Sequence, residues 1–308
     1  LRLLGLGGTA ALLGASTTRR ASAAAPAASL VGAQPAHYRF KIGSLEALAV
    51  NDGGFAMPPA DSPFGVGEPR ERIAEALAAT LTPTDLVRLQ FNVLLVRIGG
   101  DLVMIDSGCG NVFGTNGGRL IANLAAAGVQ PTQVTAILIT HMHGDHFGGL
   151  LDAEGRPAFP NAKVFIHRVE HEHYGAQGDE GVQKYLRAFE GKWQRVAGGD
   201  KLFDGLEIVD AFGHTPGHFT VAITSSGEQL FHMVDTTHHH ALSFAHPEWK
   251  LQFDVLSDAA IATRKRVLDR LATDKARVFG AHMPFPALGR VRRSGNAYEW
   301  SIEPWVFA

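Results

Sequence analysis

Cysteine is almost absent from this chain: Cys109 is the single thiol in 308 residues. An internal disulfide is therefore excluded, and so are structural zinc fingers, which need several thiolates. An excess of either charge is also missing. Lys+Arg number 28 against Asp+Glu 30, for a formal net charge of -2. With no basic tail or stripe, nucleic acid is not an expected partner. Long apolar runs are missing too. The longest one near the start, residues 1–13, falls short of the roughly 20 residues a spanning helix needs, so no stable membrane span is expected in a mature form. What is abundant is core material: 45% of the residues are hydrophobic, enough for one large domain or two tightly packed halves.

The first residues differ from the rest. An apolar run is followed by the small-residue stretch 21–28, the pattern of a secretory signal with a cleavage zone near Ala21-Ser22-Ala23. Arg19-Arg20 follows the apolar run, whereas a twin-arginine signal precedes it. Residues 1–36 are read as a signal-like segment and linker, and 37–308 as the folded domain. The expected location is the bacterial periplasm or the exterior, or the cytoplasm if this segment is not a signal.

Beyond Pro35 the pattern becomes that of a mixed fold. Strands are expected at 38–50, 134–140, 162–167, 205–212 and 277–280, and hairpins at 92–105 and 219–234. Helices are expected at 70–80, 118–127 and 257–273, with 170–199 helical in part. Residues 53–69, rich in Gly and Pro, read as a long surface loop. Both halves mix strands, hairpins and helices, so two sheets back to back with helices outside fit the order.

One motif dominates. The apolar run Ile137-Leu138-Ile139 leads into His141-Met142-His143-Gly144-Asp145-His146. In extended chain, residues two apart share a side, so His141 and His143 can grip one ion. Asp145 and His146 are too close in sequence to complete the same tetrahedron comfortably, which points to a second ion. Further donors are needed, and three other apolar runs end in them: Gly213-His214-Thr215-Pro216-Gly217-His218, Asp235 and His282.

This pattern, H-x-H-x-D-H, then G-H-T-P-G-H, a strand-terminal Asp and a late His, resembles the metallo-β-lactamase superfamily from residue 38 to the C-terminus. The resemblance implies an α+β fold, an αββα sandwich of two mixed sheets flanked by helices, with a binuclear site in the cleft between the sheet edges. Carried over by motif, His141, His143 and His218 hold one metal, Asp145, His146 and His282 the other, and Asp235 bridges them. His214 then supports its loop, Asp106 buttresses the site from behind, and His238 lies near the cleft. Within the superfamily the chain is similar to the methyl parathion hydrolase group and its lactonase-like relatives. The softer signals for this are Gly280-Ala281-His282-Met283-Pro284-Phe285-Pro286, Leu251-Gln252-Phe253-Asp254, Pro160-Asn161-Ala162 and the region 298–305.

The implied activity is hydrolysis of a small-molecule lactone or ester, and of aryl phosphotriesters, by a metal-bridging hydroxide, with Asp145 and Asp235 as the catalytic carboxylates. Two divalent ions per chain are expected. The His/Asp donor set suits zinc, though Mn, Co or Fe accept the same donors. The resembled group suggests a homodimer. A β-lactamase is the alternative within the fold. A di-iron redox centre usually has Glu where His143 stands, and a non-catalytic metal binder would not need the whole donor set. Phe113, Tyr174 and Trp193 are candidates for an aromatic substrate wall. His239, His240, His167, His171 and His173 read as surface or loop histidines, and Cys109 as a buried small residue near the site.

Overall fold

A computed structural model describes residues 36–58 and 62–306. The signal-like segment expected at 1–36 lies outside these residues, except for its last. Among the described residues the chain forms two seven-stranded sheets. The first runs in chain order: β1 (His37–Ile42), β2 (Leu45–Met57), β3 (Val87–Ile98), β4 (Asp101–Ile105), β5 (Ala136–Ile139), β6 (Lys163–His167) and β7 (Trp193–Val196). The second comprises β8 (Lys201–Leu202), β9 (Leu206–Asp210), β10 (Phe219–Ser225), β11 (Glu228–His232), β12 (Arg277–Phe279), β13 (Leu288–Ser294) and β14 (Ala297–Ile302). Both are mixed. β4 to β7 pair in parallel and β1 to β4 antiparallel, whereas β11–β12 is the parallel pair of the second sheet.

The strand sequences explain the layering. β3 is apolar on both faces. Leu94 and Val96 enter the core between the sheets beside Leu206, Phe219, Val221 and Phe231, while Val93 and Leu95 enter an outer layer. That outer layer is covered by α2 (Leu120–Ala126) through Leu120 and Leu124, and by α5 (Glu180–Ala188) through Val182 and Leu186. α6 (Ser257–Asp274) presents Val267, Leu268 and Leu271 to the second sheet. The expected α+β sandwich, helices outside two mixed sheets, is the observed architecture. A satellite cluster joins α1 (Arg70–Ala78) to Val87, Leu89, Trp249 and Leu251 at the cleft end.

Two expectations are corrected. Residues 38–50 form parts of two strands, β1 and β2, that pair as a hairpin. β2 then runs on to Met57, through the first residues of the loop expected at 53–69. The glycines misled because Gly53 sits at a register shift opposite β3. It takes φ +147, and a Cβ there would lie 2.1 Å from the Asn116 carbonyl oxygen. β13 was not anticipated; its Leu288 and Val291 are buried between charged outward residues.

Candidate metal centre

The motif loops converge at one end of the two sheets. β5, buried throughout, ends at Ile139, and Thr140 leads into the His141–His146 loop. His143 then starts the one-turn helix α3 (Gly144–Phe147). That turn swings Asp145 and His146 away from His141 and His143, so neighbours in sequence serve different groups. Loops after β9, β11 and β12 deliver His214, Asp235 and His282 from the other sheet.

Donor atoms gather in three sets, each within 4.8 Å: His141, His143, His214 and Asp235; Asp145, His146 and His282; and Asp235, His238 and His282. Asp235 Oδ2 lies 3.6 Å from His141 Nε2 and 3.2 Å from both His214 Nε2 and His282 Nε2. Its Oδ1 lies 3.3 Å from His146 Nε2. Asp235 is thus central to all of them. The backbone that aims it is strained: Val234, a β-branched residue, takes φ +45, held by its N–H donating to His232 Nδ1 at 3.1 Å.

Three of the rings, His146, His214 and His282, are oriented from behind by acceptors. Asp106 accepts from Thr140 N and Oγ1 on one oxygen and from His146 Nδ1 on the other, at 2.8, 2.9 and 2.8 Å. His214 Nδ1 donates to Asp254 Oδ1 at 2.9 Å, and Asp254 Oδ2 in turn takes the buried Arg264 at 3.0 Å. His282 Nδ1 donates to the Gln90 carbonyl at 2.7 Å, and Asn92 clamps the carbonyls on both sides of His282. In each case Nε2 is left facing Asp235, the arrangement of metal-ligating histidines.

The electrostatics suit cations. His141 is held well below its usual range by burial, and His143 is pushed down to about 3 by burial and then by His214. Both stay neutral, the form that ligates. Burial opposes charge on His146, His214 and His282 as well. Asp235 nonetheless raises His146 and His282, and contacts with Asp235 and Asp254 lift His214 to about 9. The carboxylates therefore draw positive charge into the centre, as protons or as metal ions. His141 Nε2, His146 Nε2 and Asp235 Oδ1 are buried with no hydrogen-bond partner, a costly state that bound cations would relieve. By this measure the residues fit a two-metal group.

Of the residues expected at the site, His141, His143, Asp145, His146, Asp235 and His282 come together. His218 and His214 both lie at the cluster, their ring centroids 5.1 and 4.8 Å from that of His141. His214 joins the donors, whereas His218 donates from Nδ1 to the Ala211 carbonyl and accepts at Nε2 from Asp235 N. His218 is thus oriented from behind by a carbonyl, as His282 is, with its Nε2 turned toward the Asp235 backbone. His238 is nearer than a supporting place would put it, with Nε2 3.0 Å from Asp235 Oδ2. His239 is buried rather than on the surface, and His167 is buried at the start of α4 (Arg168–Gln177), accepting from Val169 N. Cys109 is buried, as expected.

A cavity of about 450 Å³ opens over the donors. Phe113 lines it, with Phe55, Met57, Leu89 and Phe91 from β2 and β3. Phe55 packs edge-on to both Phe91 and Phe113, with centroids 4.9 Å apart. Tyr174 and Trp193 do not line it. They pack on the outer helical layer, where Trp193 Nε1 donates to the Leu186 carbonyl. α4 and α5 fold back over the first sheet's outer face, which takes both rings away from the cleft. Phe55 and Met57 were hidden by reading residues 53–69 as loop. Asp254 stood out only as part of the Leu251–Asp254 segment, and Arg264 carried no signal beyond lying in a helix.

Compared with known proteins, the chain matches the Metallo-beta-lactamase superfamily over residues 86–282. It is 24% identical over 224 residues to an N-acyl homoserine lactonase of Bacillus sp, covering 66% of this chain and 85% of the relative. Among solved structures it is similar to AidC, a dizinc quorum-quenching lactonase, with a TM-score of 0.82 and 28% identity over 88% of this chain and 98% of that one. It is also similar to the hydrolase AbOPH of the beta-lactamase superfamily, with a TM-score of 0.81 and 28% identity over 90% of this chain and 100% of that one. The helix-covered sandwich, the donors gathered at its open end and the match across residues 86–282 agree: this chain belongs to the metallo-β-lactamase superfamily and is a metal-dependent hydrolase.

Proposed function

We propose that the protein hydrolyses lactones and related esters at a two-metal centre, with N-acyl homoserine lactones the leading substrate class. The observation that carries this is the pairing of a buried His/Asp donor cluster with an apolar, aromatic-walled cavity directly above it. Lactonase relatives on both the sequence and structure sides support the same reading. His141, His143, His214 and Asp235 would hold one ion, and Asp145, His146, His282 and Asp235 the other. The donor chemistry favours zinc. Two such ions lower the pKa of a bound water toward about 7 and polarise the oxygen of the scissile group.

The chain's own groups do the rest. Asp235 fixes the spacing of the two donor sets. Asp145 has the more exposed carboxylate of the two, at 14% against 3%, and lines the cavity. It is placed to carry a proton to the leaving alkoxide. His238 lines the cavity with its Nε2 buried 3.0 Å from Asp235 Oδ2, where it steadies that carboxylate. Phe55, Phe91 and Phe113 exclude water from the apolar side and cradle an acyl chain. The same rings would accept the aryl group of a phosphotriester, a secondary activity. Cys109 takes no part as a nucleophile: burial, with Asp52 beside it, pushes its thiol far up.

The test is a panel of N-acyl homoserine lactones, simple lactones, aryl esters, an aryl phosphotriester and a β-lactam, run on protein of measured metal content. Turnover of lactones, lost on chelation and regained with added Zn²⁺, is expected. Lactone hydrolysis that survives demonstrated metal removal refutes the metal role; turnover of the β-lactam alone refutes the substrate class.

A further inference from the structure

Glu170, near the start of α4, has no part in the hydrolytic chemistry just described, and yet it is a fully buried carboxylate. Its charge is not met by a lysine or arginine. Three neutral donors satisfy it instead. Met142 N donates to Oε1 at 2.7 Å, while Thr215 Oγ1 and Gly217 N donate to Oε2 at 2.8 and 2.7 Å. These donors come from two places only. Met142 is the residue between His141 and His143, and Thr215 and Gly217 follow His214 in its loop. One side chain therefore ties together the two loops that supply the histidines of the first donor set, without a hydrogen bond to a ligating ring.

A second observation agrees. Gly217 lies so close to α4 that a Cβ on it would stand 2.2 Å from Glu170 N and 2.7 Å from Glu170 Cα. Those are backbone atoms of the helix, which cannot swing aside. The helix start is thus wedged against the His214 loop, and its carboxylate reaches across to the His141–His143 loop. The second donor set is held by other groups: Asp106 behind His146, and the Gln90 carbonyl and Asn92 around His282.

We propose that Glu170 is a positioning residue that fixes the separation between the His141/His143 pair and His214, and so controls affinity at one of the two cation positions and not the other. This rests on the two-metal reading above. Charge-assisted bonds to a carboxylate are stronger than bonds to a neutral amide. A glutamine of the same shape also offers only one acceptor oxygen, so its NH₂ must face an N–H or O–H donor.

The experiment titrates metal-free wild type, Glu170→Gln and Thr215→Val with Zn²⁺ against a chromophoric chelator. Co²⁺ absorption spectra and thermal midpoints of the metal-free proteins are recorded alongside. Wild type is expected to take two equivalents. Glu170→Gln should keep one at wild-type affinity and bind the other roughly 10–100-fold more weakly, the usual effect of losing an outer partner. Thr215→Val, which removes one bond of the three, should weaken the same equivalent by less, and it keeps the proposal testable should Glu170→Gln fail to fold. Two equivalents at wild-type affinity in the variants overturn the proposal. Equal weakening of both positions, tracking a lowered thermal midpoint, also overturns it by showing a merely structural role. Fewer than two equivalents in wild type overturns the two-metal reading itself, and this proposal with it.

Discussion

Replacing Asp106 by asparagine would test the logic of the centre with little disturbance to its shape. Asp106 occupies a left-handed position, φ +63, which asparagine tolerates as well as aspartate does. The side chains are isosteric, so the effect is confined to hydrogen bonding and to the loss of the charge beside His146. The carboxylate accepts on both oxygens, from Thr140 N and Oγ1 and from His146 Nδ1. An amide accepts on one. If its oxygen faces Thr140, its NH₂ faces His146 Nδ1, which must then accept. The imidazole proton moves to Nε2, the atom that should ligate, and blocks it. If the oxygen faces His146 instead, the NH₂ opposes Thr140 N at a buried site, costing about 1–3 kcal/mol.

Either orientation weakens the position held by Asp145, His146 and His282. The expected loss is roughly 10–100-fold in affinity for one equivalent, or about 1.4–2.7 kcal/mol. Chelator competition measures it directly. Hydrolysis should fall at limiting Zn²⁺ and recover as Zn²⁺ is raised. An Asp106→Asn protein that binds both equivalents as wild type does, with unchanged zinc dependence of rate, would refute the tautomer argument.

Three further expectations follow from the geometry. Arg264→Met strips the guanidinium from Asp254, whose side chain is fully buried, and from the Thr236, Pro247 and Trp249 carbonyls, and leaves the carboxylate with His214; a loss of about 3–5 kcal/mol in urea unfolding is expected, and less than about 1 would contradict the structure. Phe55→Ala opens the aromatic wall without touching a donor, so KM for a long-chain acyl lactone should rise about 10-fold while kcat and short-chain KM stay near wild type; equal effects on both substrates would remove the wall from substrate binding. Because burial and Asp52 raise the Cys109 thiol, thiolate is scarce near neutrality, and a thiol reagent at pH 8 should label the protein only after unfolding; stoichiometric labelling of the native form would show the thiol to be accessible.

The donors on His141 to His146 were readable because a buried strand ending in closely spaced metal-binding side chains has few structural uses. His214 and His218 were not separable in the same way. Both flank one tight loop, and the turn that sets Gly213 N on the Thr215 carbonyl decides which ring meets the cleft. Neither composition nor spacing encodes that rotation. The aromatic wall escaped for a local reason, since Gly53-Gly54 reads as a break yet serves as a shift in register that carries β2 onward. Glu170 escaped for a tertiary one: a glutamate opening a polar stretch looks solvated until the loop containing Gly217 is packed against it. The sandwich itself was legible because both faces of its central strands are apolar, a property of sequence rather than of context.

The donors are divided between the sheets. His141 to His146 extend from the first, and His214, Asp235 and His282 from the second. A cation held among them would therefore work as a clasp across the seam, linking residues as far apart as 141 and 282 in the chain. Like any cross-link closing a long loop, it restrains the separated state more than the joined one. The resistance it adds is directional: strong against the two sheets parting, slight against fraying within either. A feature placed for chemistry would thus also bias how this molecule comes apart, with fraying inside a sheet ahead of any parting of the two.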